Sequence, residues 1–370
     1  MHRIFIAAAI IISLVFAGCS GRHRSRSAPN MEEKIGQMLM VGFRGTELAG
    51  DASILEDIRR RNIGGVILFD YDVELGKPDR NIKSPPQLKG LVSRLQSAAS
   101  TPLLIAIDQE GGTVNRLKEK YGFSPTYSAE QLGERDDPAF TEKSGYDIAS
   151  TLAEMGVNVN FAPCIDVNVN PDNPAIGSRG RSFSADPEKV ALHGRAFAEG
   201  LGRGGVLSCV KHFPGHGSAY NDSHKGLTDI TDTWTQSELV PFRSMIESAA
   251  ADMVMTAHLV NTNIDPKYPA TLSEKFLTDI LRGELGWDGV IVTDDMQMGA
   301  IVQEYSLSRA VRLSINAGAD ILLFGNNLHY EPDIAEKTIA IITEMVLNGE
   351  ISKGRIEESY QRIMRLKNSL

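Results

Sequence analysis

The chain has little cysteine, no basic stripe, no glycine-rich phosphate loop and no apolar run long enough to span a bilayer as a mature helix. Each shortage removes a class of function. Three cysteines occur among 370 residues. Cys164 and Cys209 both stand in apolar, strand-like surroundings, which suits two buried free thiols better than a disulfide framework or a metal pair. The formal net charge is −9, and Lys and Arg do not alternate with aromatics along one stripe, which argues against a nucleic-acid binder. No glycine-rich fingerprint follows the first apolar run of the body, and this disfavours a doubly wound nucleotide-binding sheet. Beyond Asn30 there is no low-complexity stretch, and no repeat larger than a strand–helix unit.

The amino terminus reads as an export signal. Arg3 gives a positive start and 4–16 is a short apolar core. It closes on Phe16-Ala17-Gly18-Cys19, which resembles a bacterial lipobox, so Cys19 is expected to become the lipidated first residue after removal of 1–18. Ser20 resembles the outer-membrane sorting choice. Residues 19–30 are rich in Ser and Arg, with Pro29 near the end and no apolar face, as suits a flexible tether. The expectation is an exported lipoprotein held to a membrane by its lipid alone, with 31–370 as a single domain.

Eight short apolar runs recur in that body: 38–43, 65–69, 103–107, 157–161, 205–210, 253–256, 290–293 and 320–324. They are dense in Val, Ile and Leu without clean alternation, as strands buried on both faces are. Helix-like segments lie between them. Asp137-Pro138 and Asp186-Pro187 each supply a cap and a first-turn proline, Gly156 is a stop, and Thr235 with Glu238 spells a capping box for a helix ending near Ala250. Strand and helix alternating eight times predict an α/β fold, a single (β/α)8 TIM-type barrel with its active site at the carboxyl ends of the strands. Polar residues gather at those ends: Asp108-Gln109-Glu110, Asp166, Lys211-His212, His258, Asp294-Asp295 and Asn326-Asn327.

The chemistry concentrates in Lys211-His212-Phe213-Pro214-Gly215-His216-Gly217, followed by Asp222-Ser223-His224. An apolar run leads into this stretch, so Lys211 and His212 are read at a strand end. Asp222 and His224 are two residues apart, close enough for the carboxylate to hold the imidazole and favour its protonated form. Asp294 follows the β-branched run 290–293 directly and is the candidate nucleophile, while Asp295 reads as a structural cap. A metal site at His212, His216 and His224 is the weaker reading. Pro214 and Gly217 oppose a helix there, and no Glu completes a zinc-peptidase motif. Asp108 and Arg116 flank a Gly-Gly turn and can grip sugar hydroxyls or a ligand carboxylate.

In order along the body, these motifs resemble family 3 glycoside hydrolases, specifically their β-N-acetylglucosaminidase branch. The resemblance rests on Glu33-Lys34-Ile35-Gly36-Gln37-Met38-Leu39, Asp108-Gln109-Glu110-Gly111-Gly112, Asn160-Phe161-Ala162-Pro163 and Arg181-Ser182-Phe183-Ser184. It continues through the 211–217 stretch, Asp222-Ser223-His224 and Thr293-Asp294-Asp295-Met296. It implies a retaining enzyme without cofactor or metal that takes terminal non-reducing GlcNAc from peptidoglycan fragments or chito-oligosaccharides. In that scheme Asp294 is the nucleophile and His224 the acid/base, with Asp222 as its partner. Asp108, Arg116, Arg181, Lys211 and His212 are the sugar-binding residues. The departure is Ser178-Arg179-Gly180 before Arg181, where the pattern is commonly shorter, and it favours Arg181 over Arg179 as the sugar-binding arginine. No room is expected after Leu370 for a second α/β domain, so the proton donor should lie in the barrel's own loops. A phosphorylase, a non-catalytic sugar-binding lipoprotein and a zinc hydrolase are the competing readings; the oligomeric state is left open.

Overall fold

A computed structural model describes residues 29–49, 52–223 and 226–370. The signal segment, Cys19, nearly all of the expected tether and His224 therefore lie outside the described residues. Each apolar run yields a barrel strand: β1 (Leu39–Gly42), β2 (Gly65–Leu68), β3 (Leu104–Ile107), β4 (Val159–Asn160), β5 (Leu207–Phe213), β6 (Met253–Thr256), β7 (Val290–Val292) and β8 (Leu322–Phe324). Every neighbouring pair is parallel, in chain order, and β8 returns to β1 with Leu39 opposite Leu322. Parallel neighbours need a crossover between them, and the intervening helices provide it on the outside of the sheet.

The ring closes between β7 and β8 through a bridge of Val292 with Ile321. Beneath it Asp320, fully buried, accepts from the Ile291 amide at 3.0 Å, from Arg282 at 2.7 Å, from Arg355 at 3.0 Å and from the Ser359 hydroxyl at 2.8 Å. One carboxylate thereby ties the last two strands to the helix Lys353–Lys367. Ile67, Phe161, Met255 and Leu323 point into the barrel's upper cavity. The period of two in a strand then turns Val66 and Leu68, Leu322 and Phe324 toward the surrounding helices. Each such apolar side chain taken out of water contributes about 1.5–3 kcal/mol.

Asp137 caps Pro138–Met155 by accepting from Phe140 N at 3.1 Å, and Gly156 ends it in a left-handed conformation. Asp186 caps Pro187–Arg203 in the same way, through Glu188 N. The capping box at Thr235 is not formed. Thr235 pairs with Ser237 at 2.7 Å, a 3-10 turn at Gln236–Leu239 intervenes, and the helix that follows is Val240–Glu247. Glu238 fails to cap because it turns inward, where Oε2 accepts from Ser218 N at 3.3 Å. A second correction concerns β5, which runs on through Lys211, His212 and Phe213 rather than stopping before them. Its pairing with β6 slips register between Val210 and Phe213. Such a slip suspends strict alternation, and Lys211 and His212, although consecutive, both line the same cavity.

Candidate active site

At the carboxyl ends of the strands lies a cavity of about 410 Å³, within the range of about 300–1,000 Å³ usual for small-molecule sites. Asp108, Arg116, Arg181, Lys211, His212 and Asp294, six of the residues singled out from sequence, line it together. The loop after β3 supplies Asp108 and Arg116. Its base is fixed by a reciprocal pair, Gln109 N to Asn160 Oδ1 and Asn160 Nδ2 to Gln109 O, each 3.0 Å. Gln109 Oε1 also accepts from the amides of Arg116 and Leu117 at 3.0 Å, so one side chain sets where the arginine starts. Gly111 is required at the turn: its φ is +97°, and a Cβ would stand 2.0 Å from Tyr127 O.

Beneath the cavity the charges interlock. Lys211 Nζ donates to Asp108 Oδ1 at 2.8 Å and approaches Glu110 Oε1 at 2.7 Å. Arg181 donates to both oxygens of Glu110, and Arg116 reaches Asp108 Oδ2 at 3.3 Å. Burial alone would push the Asp108 carboxyl up, but Lys211 and then Arg116 hold it well below the usual carboxylate range. In Glu110, burial is likewise outweighed by Arg181 and Lys211, which bring it to about 2. Burial opposes the charge on Lys211, and Asp108 and Glu110 overcome it, keeping the ammonium firmly protonated. The donors aimed at a ligand here are therefore fixed and charged before it arrives.

His212 Nδ1 lies 2.6 Å from Asp166 Oδ2 and its Nε2 lies 3.2 Å from Arg181 Nη2. A guanidinium only donates, so Nε2 accepts and Nδ1 carries the proton toward Asp166. Asp166 also accepts the amides of His212 at 3.2 Å and His216 at 2.7 Å. Burial would raise its pKa, and the His212 partner leaves it well below the usual range. The loop can fold this tightly over Asp166 because residue 217 is glycine; a Cβ there would meet Val167 O at 1.6 Å. Cys164 is free and buried, as is Cys209. Its setting is less apolar than the sequence suggests, since Sγ donates to Asp166 Oδ2 at 3.2 Å. Cys164, Asp166 and His212 offer ligand atoms within 4.8 Å of one another, so the group able to hold a cation differs from the three-histidine set. Burial pushes that thiol's pKa well up, which opposes the thiolate a metal needs.

On the opposite wall, Asp294 sits at the end of β7 and its Oδ1 accepts the Asp295 amide at 2.8 Å. Asp295 braces the rim: Oδ1 accepts from Gly325 N at 2.9 Å and Gln297 N at 3.0 Å, joining the ends of β7 and β8. His258 is fully buried and does not line the cavity; its Nε2 donates to Asp295 O at 2.9 Å. Asp222 is half-buried and is not among the cavity's lining residues. Its neighbour Ser223 is anchored on two sides, by His216 Nε2 at 3.2 Å and through its carbonyl by Ala300 N at 3.3 Å. Ala300 belongs to the turn Gly299–Val302, which follows Asp294, so the Asp222-Ser223 segment is tied to the strand end carrying that aspartate. Burial lowers the His216 pKa to about 4, which leaves it neutral at neutral pH.

Sequence reasoning did not find the Asp166–His212 pair as a unit, nor the rim pair Lys118–Asp70 at 2.5 Å. In the sequence Asp166 is only a polar residue at a strand tip, and nothing near Asp70 signals its lysine.

An eight-stranded parallel barrel thus gathers carboxylates, a lysine and arginines round a cavity of small-molecule size at the carboxyl ends of its strands. The family profile described as "Glycosyl hydrolase family 3 N terminal domain" matches residues 30–366, and the chain belongs to that family. It is 34% identical to a beta-hexosaminidase A of Pseudoalteromonas piscicida, over 91% of this chain and 61% of that one. The structure of a glycoside hydrolase family 3 beta-N-acetylglucosaminidase from Paenibacillus sp. superposes with a TM-score of 0.84 at 36% identity, covering 92% of this chain and 63% of the other. That of a beta-N-acetylhexosaminidase from Beutenbergia cavernae gives 0.81 at 31% identity, covering 93% and 100%. The chain thus spans under two thirds of the first two proteins and the whole of the third.

Proposed function

We propose that the protein is a retaining exo-β-N-acetylglucosaminidase that removes terminal non-reducing GlcNAc from peptidoglycan fragments or chito-oligosaccharides. The observation that carries this reading is the convergence of Asp294 with Asp108, Arg116, Arg181, Lys211 and His212 on one cavity. The printed activities of the similar proteins support it. Charged donors and acceptors fixed before binding suit sugar hydroxyls, because each hydroxyl both donates and accepts.

In the first step an Asp294 carboxylate oxygen bonds to the anomeric carbon. The glycosidic bond breaks, and its oxygen takes a proton from the imidazolium of His224. In the second step neutral His224 removes a proton from water, whose oxygen bonds to the anomeric carbon as the glycosyl–Asp294 ester opens. Asp222 holds the imidazole and favours its charged form. The tie between Ser223 and Ala300 supports a loop able to bring its next residue toward Asp294.

Export and lipidation at Cys19 complete the proposal and put the substrate outside the cytoplasm. Cys19→Ser should release the protein from membranes with unchanged specific activity. Retention of the variant would instead point to an uncleaved anchor.

Turnover of an aryl β-GlcNAc glycoside, with products followed by NMR in the presence and absence of inorganic phosphate, tests the function. The expected first product is free β-GlcNAc in both conditions. A phosphate-dependent sugar phosphate would make the protein a phosphorylase, and no turnover would leave a sugar-binding lipoprotein.

A further inference from the structure

Five cations line the cavity: Arg116, Lys118, Arg179, Arg181 and Lys211. Four are neutralised in place. Arg116 meets Asp108 at 3.3 Å, Lys118 meets Asp70 at 2.5 Å, Arg181 meets Glu110 at 2.7 Å, and Lys211 meets both Asp108 and Glu110. Arg179 is different. Among the described residues it has no carboxylate within ion-pair distance, and its one side-chain bond is Nε to Pro174 O at 2.8 Å. That bond uses the inner N–H and leaves both terminal nitrogens of the fork for a ligand.

The root of this arginine is fixed although its tip is exposed. Gly177–Arg179 form one 3-10 turn, closed by Gly180 in the left-handed region at φ +63°. Arg179 N donates to Ile176 O at 3.2 Å, and Thr113 Oγ1, from the loop after β3, donates to Arg179 O at 3.1 Å. Two loops of the barrel mouth therefore hold its backbone while the guanidinium stands at the rim. The deep end has the opposite character: the Lys211 side chain is 2% exposed and that of Arg181 is 11% exposed. An exo-acting site places the terminal sugar in the closed end and the departing portion at the open rim. Arg179 belongs to the second.

We infer that Arg179 is a specificity residue for the leaving portion of the substrate, and that it selects aglycones carrying a carboxylate, such as a sugar with an ether-linked lactyl group, over neutral chitin-type sugars. The inference rests on the glycosidase reading above. A guanidinium fork matches the two oxygens of a carboxylate, and a guanidinium with no carboxylate partner among the described residues gives up no ion pair to them when the ligand arrives. A charge-assisted hydrogen bond contributes roughly 1.5–3 kcal/mol. The expected preference for the carboxylate is therefore about tenfold or more.

The test uses a matched pair of disaccharides, terminal GlcNAc on a sugar bearing either an O-lactyl carboxylate or the corresponding lactyl amide. The quantity read is the ratio of their kcat/KM values for wild type, Arg179→Gln and Arg179→Lys. Wild type should favour the carboxylate by about tenfold or more, chiefly through KM, and added salt should shrink that preference. Arg179→Gln should bring the ratio near one, and Arg179→Lys should keep part of it. A wild-type ratio near one overturns the inference, as does a ratio that Arg179→Gln leaves intact or an equal loss on both substrates. If Arg179→Gln instead abolishes a phosphate-dependent rate, the rim arginine serves free phosphate. If wild type cleaves neither disaccharide nor an aryl β-GlcNAc glycoside, the glycosidase reading itself fails.

Discussion

Arg181 holds Glu110 by both carboxylate oxygens, Nε to Oε2 at 2.9 Å and Nη2 to Oε1 at 2.7 Å. Glu110 is thereby kept as an acceptor: burial opposes its charge, but Arg181 and Lys211 keep it ionised. Its work is to aim two cations into the cavity.

Removing that carboxylate should be costly. Glu110→Ala leaves Arg181 and Lys211 short of compensating charge, and breaking such a buried pair typically costs about 3–5 kcal/mol. Activity should fall as well, since both cations lose their direction. Chemical denaturation checks the first part. A variant within about 0.5 kcal/mol of wild type would mean that Asp108 alone suffices to hold Lys211.

The two adjacent aspartates should separate function from stability. Asp294→Ala should lose activity by several orders of magnitude with little change in unfolding midpoint. Asp295→Ala should lower the midpoint, because Gly325 N and Gln297 N lose their acceptor. Each buried donor left unsatisfied costs about 1–3 kcal/mol. Near-normal turnover by Asp294→Ala would move the nucleophile elsewhere, with Asp295 the first place to look.

Glu238 should make stability depend on pH. Burial raises its pKa from the ordinary 4.5 to about 8, and Oε1 is buried without a partner among the described residues. Between those values the native state binds a proton that the unfolded state does not. Stability from this group is therefore complete below about pH 4.5 and is lost as pH rises toward 8, at up to about 1.4 kcal/mol per pH unit. Glu238→Gln should flatten the profile and be the more stable protein above pH 8. Parallel profiles for the two proteins would show that Glu238 is ionised in the native state.

Barrel closure can be tested at Asp320. Asp320→Ala removes the shared acceptor of Arg282, Arg355, Ser359 and the Ile291 amide, and should cost about 3–5 kcal/mol. A loss below about 1 kcal/mol in urea denaturation would mean that the strand pairing closes the ring unaided.

The fold is legible because eight short apolar runs dense in Val, Ile and Leu have few other ways to bury both faces, and capped helices such as Pro138–Met155 separate them. The site was legible where function sits beside a strand end, as at Asp108 and Asp294. It was opaque where the partner comes from another loop. Nothing local to Asp166 names His212, and nothing near Glu110 names Arg181, since those meetings depend on three-dimensional packing. The failed capping box has a similar cause. Thr235 and Glu238 have the right spacing, but burial of Glu238 under the loop at Gly215 and Ser218 prevailed over the local cap. The sequence understates the length of β5 because Lys211 and His212 are polar, and inside a barrel mouth polar residues can continue a strand.

The proposed two-step mechanism requires Asp294 to form a covalent bond to the sugar. A slow 2-deoxy-2-fluoro or 5-fluoro glycosyl donor incubated with the enzyme, followed by proteolysis and peptide mass spectrometry, examines that directly. The predicted result is one added glycosyl unit on the peptide containing Asp294, absent from Asp294→Ala. Label on another carboxylate, or rapid release of an inverted sugar with no labelled peptide, would contradict it.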